Sequence, residues 1–132
     1  AFRDAVRLPA KETLFDSAKR SGVTIRFRGG QPAGHTAELI YTAMQVCLNN
    51  AIQYAQATEL TANLWECDGC CHAVIRNNGR PPERPVTEGG GLTNLRRQIE
   101  KSGGAMTIQS TPEFALALRI PNFGMTEENK WL

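Results

Sequence analysis

The sequence predicts an α/β two-layer sandwich, a mixed sheet of about five strands with its helices packed on one face. Three observations carry that expectation. One long segment, 36–57, has apolar residues at helical spacing, while several short segments alternate apolar and polar residues as half-buried strands do. An Asp-Gly pair joins two of those alternating runs, the signal of a two-residue hairpin. The elements then follow as strand, helix, hairpin, loop, helix, hairpin, an order that makes a mixed sheet rather than a parallel one.

Taken along the chain, LPAKETLFDSAKRSG reads as a lead-in helix and VTIRFR (Val23 to Arg28) as a strand, followed by the turn chemistry of GGQPAGH. Thr36 is placed to cap the next helix, and Glu38 suits the positive end of its dipole. Ile40, Ala43, Met44, Cys47, Leu48, Ala51 and Ala55 make its apolar stripe, and Val46, Asn50, Gln53 and Tyr54 a second face. Asn49 and Asn50 stand in mid-helix, where asparagine is a poor former and a stability-driven sequence would prefer Ala, Glu or Lys. ELTANLWEC and CCHAVIRN form the hairpin across Asp68-Gly69. A stretch rich in Pro, Gly and charge leads to the helix LTNLRRQIEKS, with Leu92, Leu95 and Ile99 as its buried stripe and Gly103 as its stop. AMTIQS and FALALRIP close the sheet around a turn at Thr111 to Glu113, and the tail NFGMTEENKWL is expected to be loosely held.

At 132 residues the chain makes one domain with a substantial core. With 41% hydrophobic and 21% charged residues, disorder is not a serious reading. A net charge of +2 gives no electrostatic case for nucleic acid. No apolar run approaches the roughly 20 residues of a membrane span, and the N-terminus lacks the regions of a signal peptide. The chain begins at AFRDAV without an initiator Met, so the sequence is expected to be part of a longer polypeptide.

Residues 67 to 72, CDGCCH, raise the question of a metal. Cys-x2-Cys is a zinc spacing, but a structural site needs a second ligand pair, and the other candidates, Cys47 and His35, belong to other elements. In a hairpin, Cys67 and Cys70 face each other across the turn while Cys71 and His72 point to opposite faces, so four ligands do not converge. The four cysteines read as reduced thiols of a cytosolic protein. A zinc-supported, non-enzymatic module is the competing expectation.

Three further segments carry chemistry in order: AMQVCLNNAIQYAQATEL, IRNNGRPP and EGGGLTNLRRQIEKSGGAMTIQS, with TPEFALALRIP closing. Together they resemble the ATP-binding, catalytic domain of bacterial sensor histidine kinases, of the gyrase/Hsp90/histidine kinase/MutL ATPase superfamily, whose fold is the Bergerat type. The resemblance covers about residues 20–121 and is nearest to compact kinases with a short lid, since only about ten residues separate Gly79 from Gly89. It implies an enzyme of two-component signalling that binds ATP and Mg2+ and donates the γ-phosphoryl group to a histidine. That histidine sits on a separate dimerisation domain of the same kinase, with a response regulator downstream. It also implies a cytoplasmic domain that touches neither nucleic acid nor membrane.

Residue by residue, Asn50 matches the asparagine that ligates magnesium, and a neutral oxygen suits a hard cation that keeps most of its waters. Tyr54, one turn further on, is placed to reach ribose or phosphates. Gly79 lets backbone approach the base, and Gly89, Gly90 and Gly91 wrap phosphates before a helix N-terminus, where free N–H groups and the dipole favour an anion. Leu92 anchors that helix. Arg80, Arg96 and Arg97 are candidates for phosphate contact or for plain surface charge.

The chain also departs from the pattern. Val46 stands four residues before Asn50, where the family carries Glu, Asn or His, and valine neither ligates a metal nor moves a proton. A shifted register pairing Gln45 with Asn49 ranks second. Asn77 stands where the family has an Asp that accepts from the adenine amino group. Its carbonyl oxygen can still accept, with adenine binding weakened about tenfold, the worth of about 1.4 kcal/mol for one hydrogen bond. Pro81 replaces a glycine. His35 and His72 do not lie in an acceptor helix, so the phosphoacceptor is expected upstream of this chain. These departures make a degenerate, pseudokinase-like domain the main alternative, and the serine-kinase regulators of sigma factors a weaker enzymatic rival on the same fold.

Overall fold

A computed structural model of the chain describes residues 10–86 and 89–122. Helix α1 (Ala10–Ser21) leads into strand β1 (Thr24–Arg28), and helix α2 (Ala37–Asn50) into the hairpin of β2 (Glu59–Cys67) and β3 (Cys70–Asn77). Helix α3 (Gly91–Lys101) precedes β4 (Ala105–Gln109) and β5 (Ala115–Pro121). The strands form one sheet in the order β1-β2-β3-β5-β4, with β1 parallel to β2 and every other pair antiparallel. The α/β two-layer expectation holds.

The hairpin follows from its turn. Asp68 and Gly69 both have positive φ, 52° and 73°, the twist that matches right-handed strands. Cys67 is then opposite Cys70, and Trp65 opposite His72. Strand alternation sorts the residues by face. Leu60, Ala62 and Leu64, with Ala73, Ile75, Leu116, Leu118 and Ile120, turn inward and are buried under the helices. Leu14 and Ala18 of α1, Ile40, Met44, Cys47 and Leu48 of α2, and Leu92, Leu95 and Ile99 of α3 meet them. Each large side chain fully buried in this way is worth about 1.5–3 kcal/mol. The outward face carries Arg26, Arg28, Arg76 and Arg119, and Trp65 stacks on His72 at 5.2 Å between ring centroids. Helix α3 ends as expected: Gly103 N–H donates to Glu100 and Gly104 N–H to Ile99, the paired bonds of a Schellman cap.

Three local expectations are corrected. Thr36 does not cap α2: a 3-10 turn (Gly34–Thr36) precedes the helix, and the buried Thr36 hydroxyl donates back to the Ala33 carbonyl at 3.3 Å. The helical run ends before Ala57. After Asn50 the backbone widens into a π turn over Ala51–Ala55 and stops at Gln56 in the left-handed region. Finally, the tail begins firmly held. Asn122 is buried, its N–H donates to Gly69 and its Nδ2 to Glu66 at 2.7 Å, which ties it to the hairpin turn. Residues 1–9, which include Leu8 and Pro9 of the lead-in segment, and 123–132 lie outside the described residues.

Candidate functional site

Helix α2, the end of β3 and the start of α3 are separate in sequence and converge on one cleft of about 1060 Å³. One wall, from α2 and the π turn after it, is made by Val46, Asn49, Asn50, Tyr54 and Ala55. The rest of the lining comes from Asn77, from Gly89, Gly91 and Leu92, and from segment 80–86 with Phe114. Of the residues singled out above, Asn50, Tyr54, Asn77, Gly89, Gly91 and Leu92 thus lie together. Gly79 and Gly90 do not line the cleft but position what does.

Gly79 does so by close approach. A side-chain carbon there would lie 2.7 Å from Ala55 Cβ and would collide with the Ala55 carbonyl, so only glycine lets the strand exit pass the π turn. The Ala55 carbonyl in turn accepts from Arg80 N–H at 2.9 Å, which locks the end of β3 to the helix segment carrying Asn50 and Tyr54. Gly90, with φ of 49°, is the cap residue from which α3 starts at Gly91. Its carbonyl accepts from Asn94 N–H and the Gly89 carbonyl from Leu92 N–H, which closes the first turn of α3 beside the cleft. Leu92 is buried and seats that helix. Thr87 and Glu88, just before the glycines, lie outside the described residues.

Asn78 holds this region although the sequence did not single it out as a contact. Its Oδ1 accepts from the N–H groups of both Thr58 and Glu59 at 2.9 Å, and its Nδ2 donates to the Thr58 hydroxyl at 2.9 Å. Asn77 Oδ1 accepts from Gly79 N–H at 2.8 Å. The signal for both was the Asn-Asn-Gly itself, since asparagine side chains mimic backbone in turns.

Val46 and Asn50 both face the cleft, so they share one helix face as i and i+4. Asn49 lines the cleft as well, and its Oδ1 accepts from Gln45 Nε2 at 3.0 Å. A carbon on Gly91 would lie 3.4 Å from Val46 Cγ1, which places the valine directly under the start of α3. Of the three candidate arginines, Arg80 lines the cleft, whereas Arg96 turns away and donates to the Met106 carbonyl at 2.8 Å. Arg97 is exposed and is not among the lining residues. Tyr54 is 69% exposed, at the lip.

The thiols stand apart from this chemistry. All four cysteines are free, and burial pushes the Cys47 thiol far above its ordinary range. Burial also raises Cys71, and the Asp68 carboxylate beside Cys67 raises that one. Among the described residues no group of three or more His, Cys, Asp or Glu is arranged to hold a metal. His35 contacts the Pro121 carbonyl and His72 lies under Trp65. No helix among the described residues is long and apolar enough to cross a membrane. A second hollow of about 350 Å³ is lined by Arg28, Thr61, Asn63 and Arg76 of the outward face together with Asn77 and Asn78.

No family model matches the sequence. The chain is 31% identical over 84 residues to the signal transduction histidine-protein kinase/phosphatase UhpB of Salmonella typhimurium, over 61% of this chain and 17% of that protein. It is 27% identical over 86 residues to the sensor histidine kinase YxjM of Bacillus subtilis, over 65% of this chain and 21% of that one. It therefore spans about a fifth of these curated relatives. Among solved structures it superposes on the catalytic domain of histidine kinase ThkA with a TM-score of 0.62 at 18% identity, covering 86% of this chain and 88% of that domain. The chain thus has the fold of the histidine kinase catalytic domain, and its resemblance to the ATP-binding domain of sensor histidine kinases holds in sequence as well as in fold.

Proposed function

We propose that this domain binds Mg-ATP in the cleft between α2 and α3 and presents the γ-phosphate to a histidine on a dimerisation domain outside this chain. The observation that carries the proposal is the convergence of Asn50, Asn77 and the Gly89–Gly91 loop on one cleft from three distant stretches of sequence. Asn77 would meet the base, the α3 N-terminus would take the phosphates, and Tyr54 at the lip would lie along the ribose or phosphates. Asn50 offers one amide oxygen to a magnesium held mainly by phosphates and water, a donor set that fits that ion. The chain's own contribution is positioning and charge stabilisation, the greater part of catalysis in phosphoryl transfer.

A second reading rests on Val46. It occupies the position beside Asn50 from which a side chain could orient the reacting groups, and it has no polar atom. On that reading the domain holds nucleotide as a conformational ligand and transfers phosphate poorly. Titration with a non-hydrolysable ATP analogue, with and without Mg2+, tests the shared premise: saturable, Mg-assisted binding that Asn50→Ala weakens. No binding at millimolar analogue would end both readings. Phosphotransfer to an added acceptor domain then separates them.

A further inference from the structure

We infer that the open face of the sheet holds a second ligand site, the hollow between Arg28 and Arg76, and that its ligand is a small phosphate monoester in its dianionic form. The site draws on the outward side of the sheet and does not rest on the nucleotide reading of the cleft.

The register of the strands builds it. Arg28 of β1 pairs with Asn63 of β2, and Thr61, two residues before Asn63 on the same face, pairs with Arg76 of β3. The two arginines thus flank β2 diagonally, from strands about 10 Å apart, two strand spacings. Between them the half-buried Thr61 and Asn63 make a polar floor. Asn77 and Asn78 complete the hollow of about 350 Å³, and no carboxylate among the described residues lines it.

Its donors are uncommitted. Arg28 has no ion pair among the described residues, and the side chains of Thr61 and Asn63 have no hydrogen bond there. Arg76 approaches Glu113 only to 3.9 Å, beyond hydrogen-bond reach. The other two arginines of this face differ. Arg26 is tied to Glu59 at 2.6 Å, and Arg119 stands opposite His72, four residues along β3 from Arg76.

Charge and donor count select the ligand. A guanidinium presents its N–H groups as a planar fork that matches two oxygens of a carboxylate or a phosphate. A carboxylate has two oxygens and one charge, so a single fork satisfies it and the second cation stays unmatched. A phosphate monoester has three terminal oxygens and close to two charges at neutral pH. It meets both forks and keeps lone pairs for the Asn63 amide and the Thr61 hydroxyl. The volume is at the small end for ligand sites, so the esterified group is short.

NMR titration of this chain with methyl phosphate, at about pH 7.5 and about 0.15 M salt, tests the inference. Shifts should saturate and gather on Arg28 Nε–H, the Asn63 side-chain amide and Thr61. Arg28→Gln and Arg76→Gln, both at exposed side chains, should each weaken binding at least about tenfold. Arg119→Gln removes the same charge from the same face beyond the screening length, and should change affinity less than about twofold. Acetate and dimethyl phosphate, both monoanions, should bind at least about tenfold more weakly. So should methyl phosphate at about pH 5, where it has regained its second proton. Equal losses from all three arginines, or equal affinity for acetate, would show only general attraction to a basic face and overturn the inference. Shifts that gather on Gly89 and Gly91 would assign the probe to the cleft and overturn it too, as would no saturation at tens of millimolar. A phosphoserine tripeptide binding more than about tenfold tighter than methyl phosphate would make the occupant a modified protein segment and overturn the assignment to a small molecule.

Discussion

Gly79 passes so close to Ala55 that a side-chain carbon on it would lie 2.7 Å from Ala55 Cβ and collide with the Ala55 carbonyl. Strand β3 and the π turn after α2 are thereby held as one unit, with Asn77 on one side and Asn50 and Tyr54 on the other. Gly79→Ala should force them apart at a cost of about 1–3 kcal/mol, the range for overpacking a close contact. Thermal unfolding would register the loss, and nucleotide affinity should fall with it. An unchanged melting temperature would mean that the contact is not maintained in solution.

Asn78→Ala should also destabilise, by about 1–3 kcal/mol, because it strips the acceptor from two backbone N–H groups at the start of β2. Asn78→Asp keeps that oxygen and loses only the donor to the Thr58 hydroxyl, so its melting temperature should lie between the other two. Equal losses from both substitutions would point to the hydroxyl contact instead.

Val46 sits beneath the N-terminus of α3, where a carboxylate is favoured by the helix dipole. Val46→Glu should therefore fold and should raise phosphotransfer to a supplied acceptor domain on the order of 100-fold, within the range for a positioned acid or base. If transfer and Mg-dependence are both unmoved, the valine is not what limits the chemistry.

Cys47 is wholly buried, and desolvation of its thiolate raises its pKa above the ordinary 9.0. The folded chain thus holds that proton more tightly than the unfolded one. The corresponding stability is intact below about pH 9 and is lost progressively as the pH rises beyond it. Cys71, raised by burial, works in the same direction. Melting temperatures taken from about pH 8 to about pH 10.5 should fall less steeply for Cys47→Ala than for the unaltered chain. Parallel curves would show that the thiol does not titrate on unfolding.

What the sequence disclosed was local in origin. The Asp68-Gly69 turn, the apolar stripes of α2 and α3 and the stop at Gly103 each depend on a few neighbouring residues, and each is where periodicity and turn chemistry put it. Features set by distant partners were not legible. The insertion of β5 between β3 and β4 depends on which edges pair, which alternation does not encode. The 3-10 turn that displaces Thr36 from its cap, the π turn at Ala51–Ala55 and the anchoring of Asn122 by Glu66 likewise come from tertiary packing. For the cleft, the residue types and order were readable from the resemblance. The hydrogen bonds of Asn77 and Asn78, which fix the end of β3 at the cleft, needed the fold.

Amide-resolved NMR of the chain titrated with ADP and Mg2+ tests the central claim most directly. The account predicts shifts gathered on the side-chain amides of Asn50 and Asn77 and on the backbone amides of Gly79, Gly89 and Gly91. A spectrum unmoved at millimolar ADP, or shifts confined to Arg28, Thr61 and Arg76 on the outward face, would contradict it.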